Sequence, residues 1–325
     1  MASATVSIAT PVEGHSPRGL FPFACFTLAF NLGVILWGAY VRATGSGAGC
    51  GNHWPLCNGE IIPRAQQIQT YIEFTHRVSA GISLLLVLAL WFWCRRAMAR
   101  RHPSRFAAGA AVLLIVNEAL LGASLVLFER VAQDQSLART ISLSLHSANT
   151  LLLLAAIALT AFWLARPGSR FRWSRTRLLP LMAVLAFMLL SGATGAIAAL
   201  GDTLFPAASL RASVAQDFAA GSHHLLHTRI THPAAALITV VFLVWTLAGL
   251  RRSSSLQENN VALLATGLFG IQLLLGVLNV VLLAPVWLQI VHLLAADLLW
   301  LSLIVLAGYR SETQDVSRLP SPVPR

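Results

Sequence analysis

Four histidines, one glutamate and one cysteine pair carry the chemistry that this sequence can do. His76, His146, His232 and His292 recur at similar places in four separate apolar runs, and Glu73 stands three residues before His76. A lone histidine in a membrane helix commonly serves as an interhelical hydrogen bonder. Two in each half of the chain, at one depth, read instead as ligand pairs. Two facing imidazoles inside an apolar bundle suit haem iron. Zinc would take four protein ligands, or three and a water, and no cysteine or carboxylate cluster completes such a set. His76, His146, His232 and His292 are therefore the expected axial ligands of haem iron.

Residues i and i+3 share a helix face. Glu73 is thus predicted to point toward the pocket of His76, and Arg229 toward that of His232. A carboxylate near iron acts as acid or base, or stabilises developing positive charge. The plainer alternative for Glu73 is a salt bridge to Arg77 or Arg42. An arginine beside a haem suits a propionate. On this contrast the N-terminal half reads as the reactive site and the C-terminal half as the seat of a fixed haem. Glu118 and Asp297 also lie within apolar runs. They are expected to face the bundle interior and to hydrogen-bond between helices. His223, His224 and His227 read as an interfacial cluster, His53 as an exposed loop residue, and His15 and His102 as cytoplasmic loop residues.

Cys50 and Cys57 enclose His53 and Trp54 in a Gly-rich stretch between the first two apolar runs. The bend allowed by Gly51 and Pro55 lets the two thiols meet. A disulfide closing the loop over the N-terminal site, a redox-active dithiol and a metal site shared with His53 all remain open on this spacing. Cys25 and Cys94 read as inert.

The elements that must position these residues are membrane spans. The chain of 325 residues is 56% hydrophobic and 11% charged, with mean hydropathy +0.70. Eight apolar runs lie at roughly 20–42, 72–94, 106–128, 142–164, 178–200, 226–250, 260–283 and 287–309. Each reaches the ~20 residues that cross a bilayer core, and each must be helical because lipid satisfies no open backbone group. The net charge of +11 comes entirely from arginine. It marks orientation rather than nucleic-acid binding, since no hydrophilic domain carries it. Twelve arginines (95, 96, 100, 101, 105, 166, 170, 172, 175, 177, 251 and 252) lie in alternate connectors, against four (64, 130, 139 and 211) in the others. The positive-inside rule then puts both termini in the cytoplasm and the Cys50–Cys57 loop outside. No signal-peptide cleavage pattern is clear, so the first run is expected to stay as a span.

The chain also repeats itself. Leu121-Gly122 matches Leu275-Gly276, Leu145-His146 matches Val291-His292, Glu73-x-x-His76 matches Arg229-x-x-His232, and Gly38-Ala matches Gly195-Ala. The order is the same in both halves. The expected fold is an all-α membrane protein of eight transmembrane helices forming two pseudo-symmetric four-helix bundles, 20–169 and 170–310. A cytoplasmic segment, 1–19, precedes them, and a disordered cytoplasmic tail, 311–325, follows.

The runs Gly38-Ala-Tyr-Val-Arg-Ala-Thr-Gly-Ser-Gly, His53-Trp-Pro-Leu-Cys-Asn-Gly and Glu73-Phe-Thr-His-Arg resemble the haem A synthase family. The resemblance extends over all eight runs. It implies a membrane enzyme that oxidises the C8 methyl of haem O to a formyl group, through an alcohol, to give haem A for cytochrome oxidase. It further implies that His76 and His146 flank the substrate haem O, that His232 and His292 ligate a haem b, and that Glu73 serves the reaction. Arg77 and Arg229 join the haem-binding candidates. The partners implied are the lipid bilayer, in the plasma membrane, and the farnesyltransferase that makes haem O; nucleic acid is not among them, and homo-oligomerisation is open. Two departures stand out: an extra residue between the cysteines, and His232-Pro in place of a second His-Arg. A di-haem b-type electron-transfer cytochrome is the alternative that keeps the four histidines. A transporter would explain the duplication but not the histidines.

Overall fold

The computed structural model describes residues 17–64, 67–250 and 256–314. Ten α-helices make up most of it: α1 Leu20–Ala43, α2 Ile68–Ala97, α3 Pro103–Leu127, α4 Leu137–Leu164, α5 Arg175–Leu204, α6 Leu210–Phe218, α7 His224–Arg229, α8 Thr231–Leu250, α9 Leu256–Val281 and α10 Val286–Ser311. Eight spans are long and apolar enough to cross a membrane, with α7 and α8 together forming the sixth. The protein is a multi-pass membrane protein. Large apolar side chains such as Leu85, Leu113, Leu237, Val241 and Leu263 are exposed on the outer faces of these spans. Lipid, not water, is the solvent that matches such a surface.

Several helices begin earlier than the apolar runs, because polar residues start them. Ser136 Oγ accepts from Arg139 N at 3.1 Å and caps α4. Pro103 opens α3 behind a His102 cap whose Nδ1 accepts from Ser104 N at 3.3 Å. His102, expected as a cytoplasmic loop residue, is buried in this cap. Burial lowers its pKa. The sixth span is broken at Ile230, and Pro233 falls in the first turn of α8, where its missing N–H costs nothing. Helix α6 has no apolar run and escaped the sequence reading; Ser209 Oγ caps it by accepting from Ala212 N at 3.2 Å.

Within each half the helices pack in one cyclic order. Helix α1 packs on α2, α2 on α3, α3 on α4 and α4 on α1; α5 packs on α8, α8 on α9, α9 on α10 and α10 on α5. The halves meet through α1 and α4 against α5 and α10. Helix α4 contributes buried side chains to two cores. Leu153, Ile157 and Leu164 join α1, α2 and α3, while Leu151, Leu154 and Ala158 join α5, α8, α9 and α10. Trp300 Nε1 donates to Leu151 O at 2.7 Å across the seam.

At the end of the bundle away from the Cys50–Cys57 loop, Ser169–Phe171 (β1) pairs antiparallel with Glu312–Gln314 (β2). The first residues of the expected tail are thus ordered against the connector between the halves. Arg166 pairs with Glu312 at 3.2 Å, and Arg310 with Glu258. The basic pair Arg251 and Arg252, His15, the segment 1–16 and residues 315–325 lie outside the described residues.

Candidate haem-binding site

All four histidines sit within the first three turns of even-numbered spans. His76 is eight residues past Ile68, His146 nine past Leu137, His232 eight past His224 and His292 six past Val286. At 1.5 Å per residue His76, His146 and His292 lie roughly 9–14 Å from the starts of their helices, while the break at Ile230 leaves His232 in the first turn of α8.

Each imidazole lies against a glycine of the preceding span. A Cβ on Gly38 of α1 would sit 2.8 Å from His76 Cε1, and one on Gly195 of α5 would sit 3.1 Å from His232 Cε1. The corresponding distances are 3.8 Å for Gly122 to His146 and 3.4 Å for Gly276 to His292. The same contact therefore occurs four times, in the order set by the repeat. The close seats forbid a side chain. Gly38→Ala is expected to lower stability by about 1–3 kcal/mol through overpacking, while Gly122→Ala, at ordinary contact distance, stays within about 0.5 kcal/mol of wild type. Thermal unfolding of the two variants in detergent measures the contrast.

In the C-terminal half the rings of His232 and His292 face each other with centroids 6.4 Å apart and planes at 87°. Two imidazoles bound through nitrogens about 2 Å from one ion would place their centroids about 6 Å apart, so the separation suits bis-histidine ligation of iron. His232 Nδ1 meets Ser191 O at 3.1 Å. That bond sets the tautomer that leaves Nε2 as the ligating atom. His292 Nε2 meets the amide of Gln272 at 3.2 Å, and its Nδ1 is buried without a partner. Gln272 therefore competes for a nitrogen that iron would take. His76 Nδ1 is also buried without a partner. The glycine seats of both pairs and the ring spacing of the C-terminal pair fit haem, with His76 and His146 offering a second pair of buried imidazoles. Among the described residues, no group of three or more His, Cys, Asp or Glu is placed to hold a metal ion by itself.

Beside the N-terminal pair, Cys50 and Cys57 are joined in a disulfide. Glu73 is 3% exposed and ties this loop to α2. Its Oε2 accepts from Cys50 N at 2.7 Å, and its Oε1 accepts from Arg77 Nε at 3.0 Å and Nη2 at 2.5 Å. Arg77 Nη1 donates to the carbonyls of His53 and, at 2.6 Å, Leu56. Of the two partners the sequence offered for Glu73, Arg77 is the one it takes. Arg42 instead crosses to the other half, donating to Ala199 O at 2.8 Å, Thr203 Oγ1 at 2.9 Å and Gln289 Oε1 at 2.9 Å. With both sulfurs buried in the bond, Cys50 and Cys57 are expected to resist thiol labelling in membranes until a reductant is added. Equal labelling without reductant would show that no bond forms.

Arg229 is placed differently from the expectation of a propionate partner. Its Nε donates to Asp217 Oδ1 at 2.8 Å, its Nη2 to the same oxygen at 2.6 Å, and its Nη1 to Asp202 Oδ1 at 2.8 Å. Two carboxylates thus balance the guanidinium, and the break at Ile230 takes it off the helix of His232. Glu73 and Arg229 share a position in the repeat and do the same work with opposite charge: each ties the connector above its half to the histidine-bearing span. The three histidines 223, 224 and 227 stay at the surface end of α7, where His223 and His224 rings lie 4.1 Å apart and His227 Nδ1 meets Asp217 O at 2.8 Å. Asp297 is 1% exposed and its Oδ2 has no hydrogen-bond partner, against the interhelical bond expected. Glu118 does bond between helices, accepting from Asn149 Nδ2 at 2.6 Å and Thr150 Oγ1 at 2.5 Å.

The sequence profile of a family described as "Cytochrome oxidase assembly protein" matches residues 22–304. A Thermus thermophilus protein named "Protoheme IX farnesyltransferase" is 47% identical over 292 residues, which are 88% of this chain and 47% of that protein. Proteins named "Heme A synthase" from Alkalihalophilus pseudofirmus and Exiguobacterium sibiricum are 39% identical over 128 residues and 34% identical over 157 residues. Those stretches cover 39% and 48% of this chain, and 40% and 50% of the relatives. The chain thus spans about half the length of the curated relatives it matches.

Proposed function

The chain belongs to the cytochrome oxidase assembly protein family, that of the haem A synthases, and on that premise we propose that it oxidises the C8 methyl of haem O to the formyl group of haem A. The observation that carries the reading is the histidine-on-glycine seat, repeated four times in order, with one pair of rings at the spacing of bis-histidine ligation. In this proposal the bundle of residues 20–169 holds the substrate between His76 and His146. The bundle of residues 170–310 holds haem b between His232 and His292, and bound haem b supplies a one-electron carrier. Glu73 stabilises positive charge developing at the macrocycle edge and accepts protons released there. Arg77 keeps that carboxylate in place, and the disulfide-closed loop covers the site. Arg229 holds the outer connector through Asp202 and Asp217 rather than a propionate.

The arginine asymmetry supports a plasma-membrane orientation with both termini cytoplasmic and the loop outside. One relative bears the name of a farnesyltransferase of the haem pathway, which supports the enzyme making haem O as a partner. A di-haem electron-transfer cytochrome is favoured by one observation: Glu73 has the partners of a structural ion pair. Chromatography of haems extracted from cells that express the chain and make haem O separates the two. Haem A is the expected product; haem b alone, with haem O untouched, would overturn the synthase reading.

A further inference from the structure

The repeat sets a second pair of residues against the histidines, and here too the halves differ in charge. Glu118 lies four residues before Gly122 and Gln272 four residues before Gly276, so each stands one turn from a glycine seat. Glu118 Oε1 is 3.5 Å from His146 Nδ1, and Gln272 Nε2 is 3.2 Å from His292 Nε2. The 3.5 Å contact is an ion-pair distance without hydrogen-bond geometry, and His146 Nδ1 has no other partner. The carboxylate is fixed where it stands. Asn149 and Thr150, three and four residues beyond His146 on α4, donate to its two oxygens. Asn149 is held in turn, with its Oδ1 accepting from Asn117 Nδ2 at 2.8 Å. A charged group on α3 is thus pinned to the face of α4 that carries the histidine.

Resting on the reading of His146 as a ligand of the substrate haem, we infer that Glu118 is a positioning residue that takes the Nδ1–H of His146, turns Nε2 toward the iron and strengthens it as a donor. A carboxylate behind a ligating imidazole raises its basicity and favours the more positive metal. Gln272, at the matching place in the repeat, meets Nε2 of His292 instead and leaves its Nδ1 without a partner, so only the N-terminal pair has a carboxylate behind a ligand.

Spectropotentiometric titration of purified full-length protein loaded with haem O tests this. In Glu118→Gln the haem of the N-terminal pair is expected to remain bound while its ferrous-to-ferric ratio at a fixed potential rises about tenfold, or about 59 mV for one electron. Glu118→Asp, which keeps the charge, restores most of the wild-type value. Thr150→Val frees Oε1 for His146 and shifts the ratio in the opposite direction, toward ferric. It leaves the carboxylate intact, so it decides the matter should Glu118→Gln not accumulate. His146→Ala separates the two readings. If it leaves the N-terminal haem spectrum unchanged, the ligand assignment itself fails. If it abolishes that spectrum while Glu118→Gln and Thr150→Val titrate as wild type, the positioning role is overturned and the ligand assignment stands.

Discussion

Purified His232→Ala and His292→Ala proteins are each expected to lose essentially all of the low-spin haem b signal in a reduced-minus-oxidised spectrum. Two imidazole ligands would produce that signal, and the rings of His232 and His292, with centroids 6.4 Å apart, are spaced to hold a haem iron between them. Loss of either leaves one ligand and an apolar gap against Gly195 or Gly276, which alanine's methyl does not span. His76→Ala removes a ring from the other half and should leave the haem b spectrum in place. An unchanged spectrum in both C-terminal variants would show that haem b is held elsewhere or not at all.

The second large effect concerns Glu73. Glu73→Gln is expected to keep haem b bound but to slow conversion of haem O by roughly 10²–10³, the usual cost of removing one pre-organised electrostatic group, or about 2.7–4 kcal/mol. Haem O or its alcohol then accumulates in extracts. The structure adds a control that the motif alone did not suggest. Glu73 also fastens the disulfide loop through Cys50 N and Arg77, so a slower reaction could arise from a loosened lid. Cys57→Ser breaks the disulfide and loosens the same loop while leaving the carboxylate on Arg77. A charge-stabilising Glu73 predicts a far smaller loss in Cys57→Ser than in Glu73→Gln. Equal losses would assign Glu73 to the loop alone.

The spans were legible because lipid imposes one pattern on the whole chain. Every apolar run is helical, the sixth with a break at Ile230, and Ile68 and Leu137 start earlier than hydropathy alone indicated because polar first turns are satisfied by caps and loop contacts. The histidines were legible as a set for the same reason: an ionisable ring within a span stands out against leucine. Gly38, Gly122, Gly195 and Gly276 already lay in the matched runs, but their purpose did not show. A glycine seat is a relation between two helices, and the sequence records only one helix at a time. The partners of Arg229 were hidden on the same ground. Spacing placed it on the face of His232, whereas Asp217, brought over by the unforeseen helix α6, lies nearer. Side chains in connectors follow the path of the backbone, and no periodicity encodes that path.

The placement of all four histidines toward the same ends of their spans has a consequence for energetics. Because each half crosses the membrane four times, the chain enters its second half from the side on which it entered the first, and both pairs lie toward the same ends of their spans. A charge moving from one pair to the other therefore travels parallel to the bilayer plane. Transmembrane voltage does work only on displacement along the normal, about 2.3 kcal/mol per charge per 100 mV for a full crossing. With haem bound at both proposed sites, exchange between them should then be insensitive to the energised state of the membrane, with nearly the same rate in vesicles with and without an imposed potential.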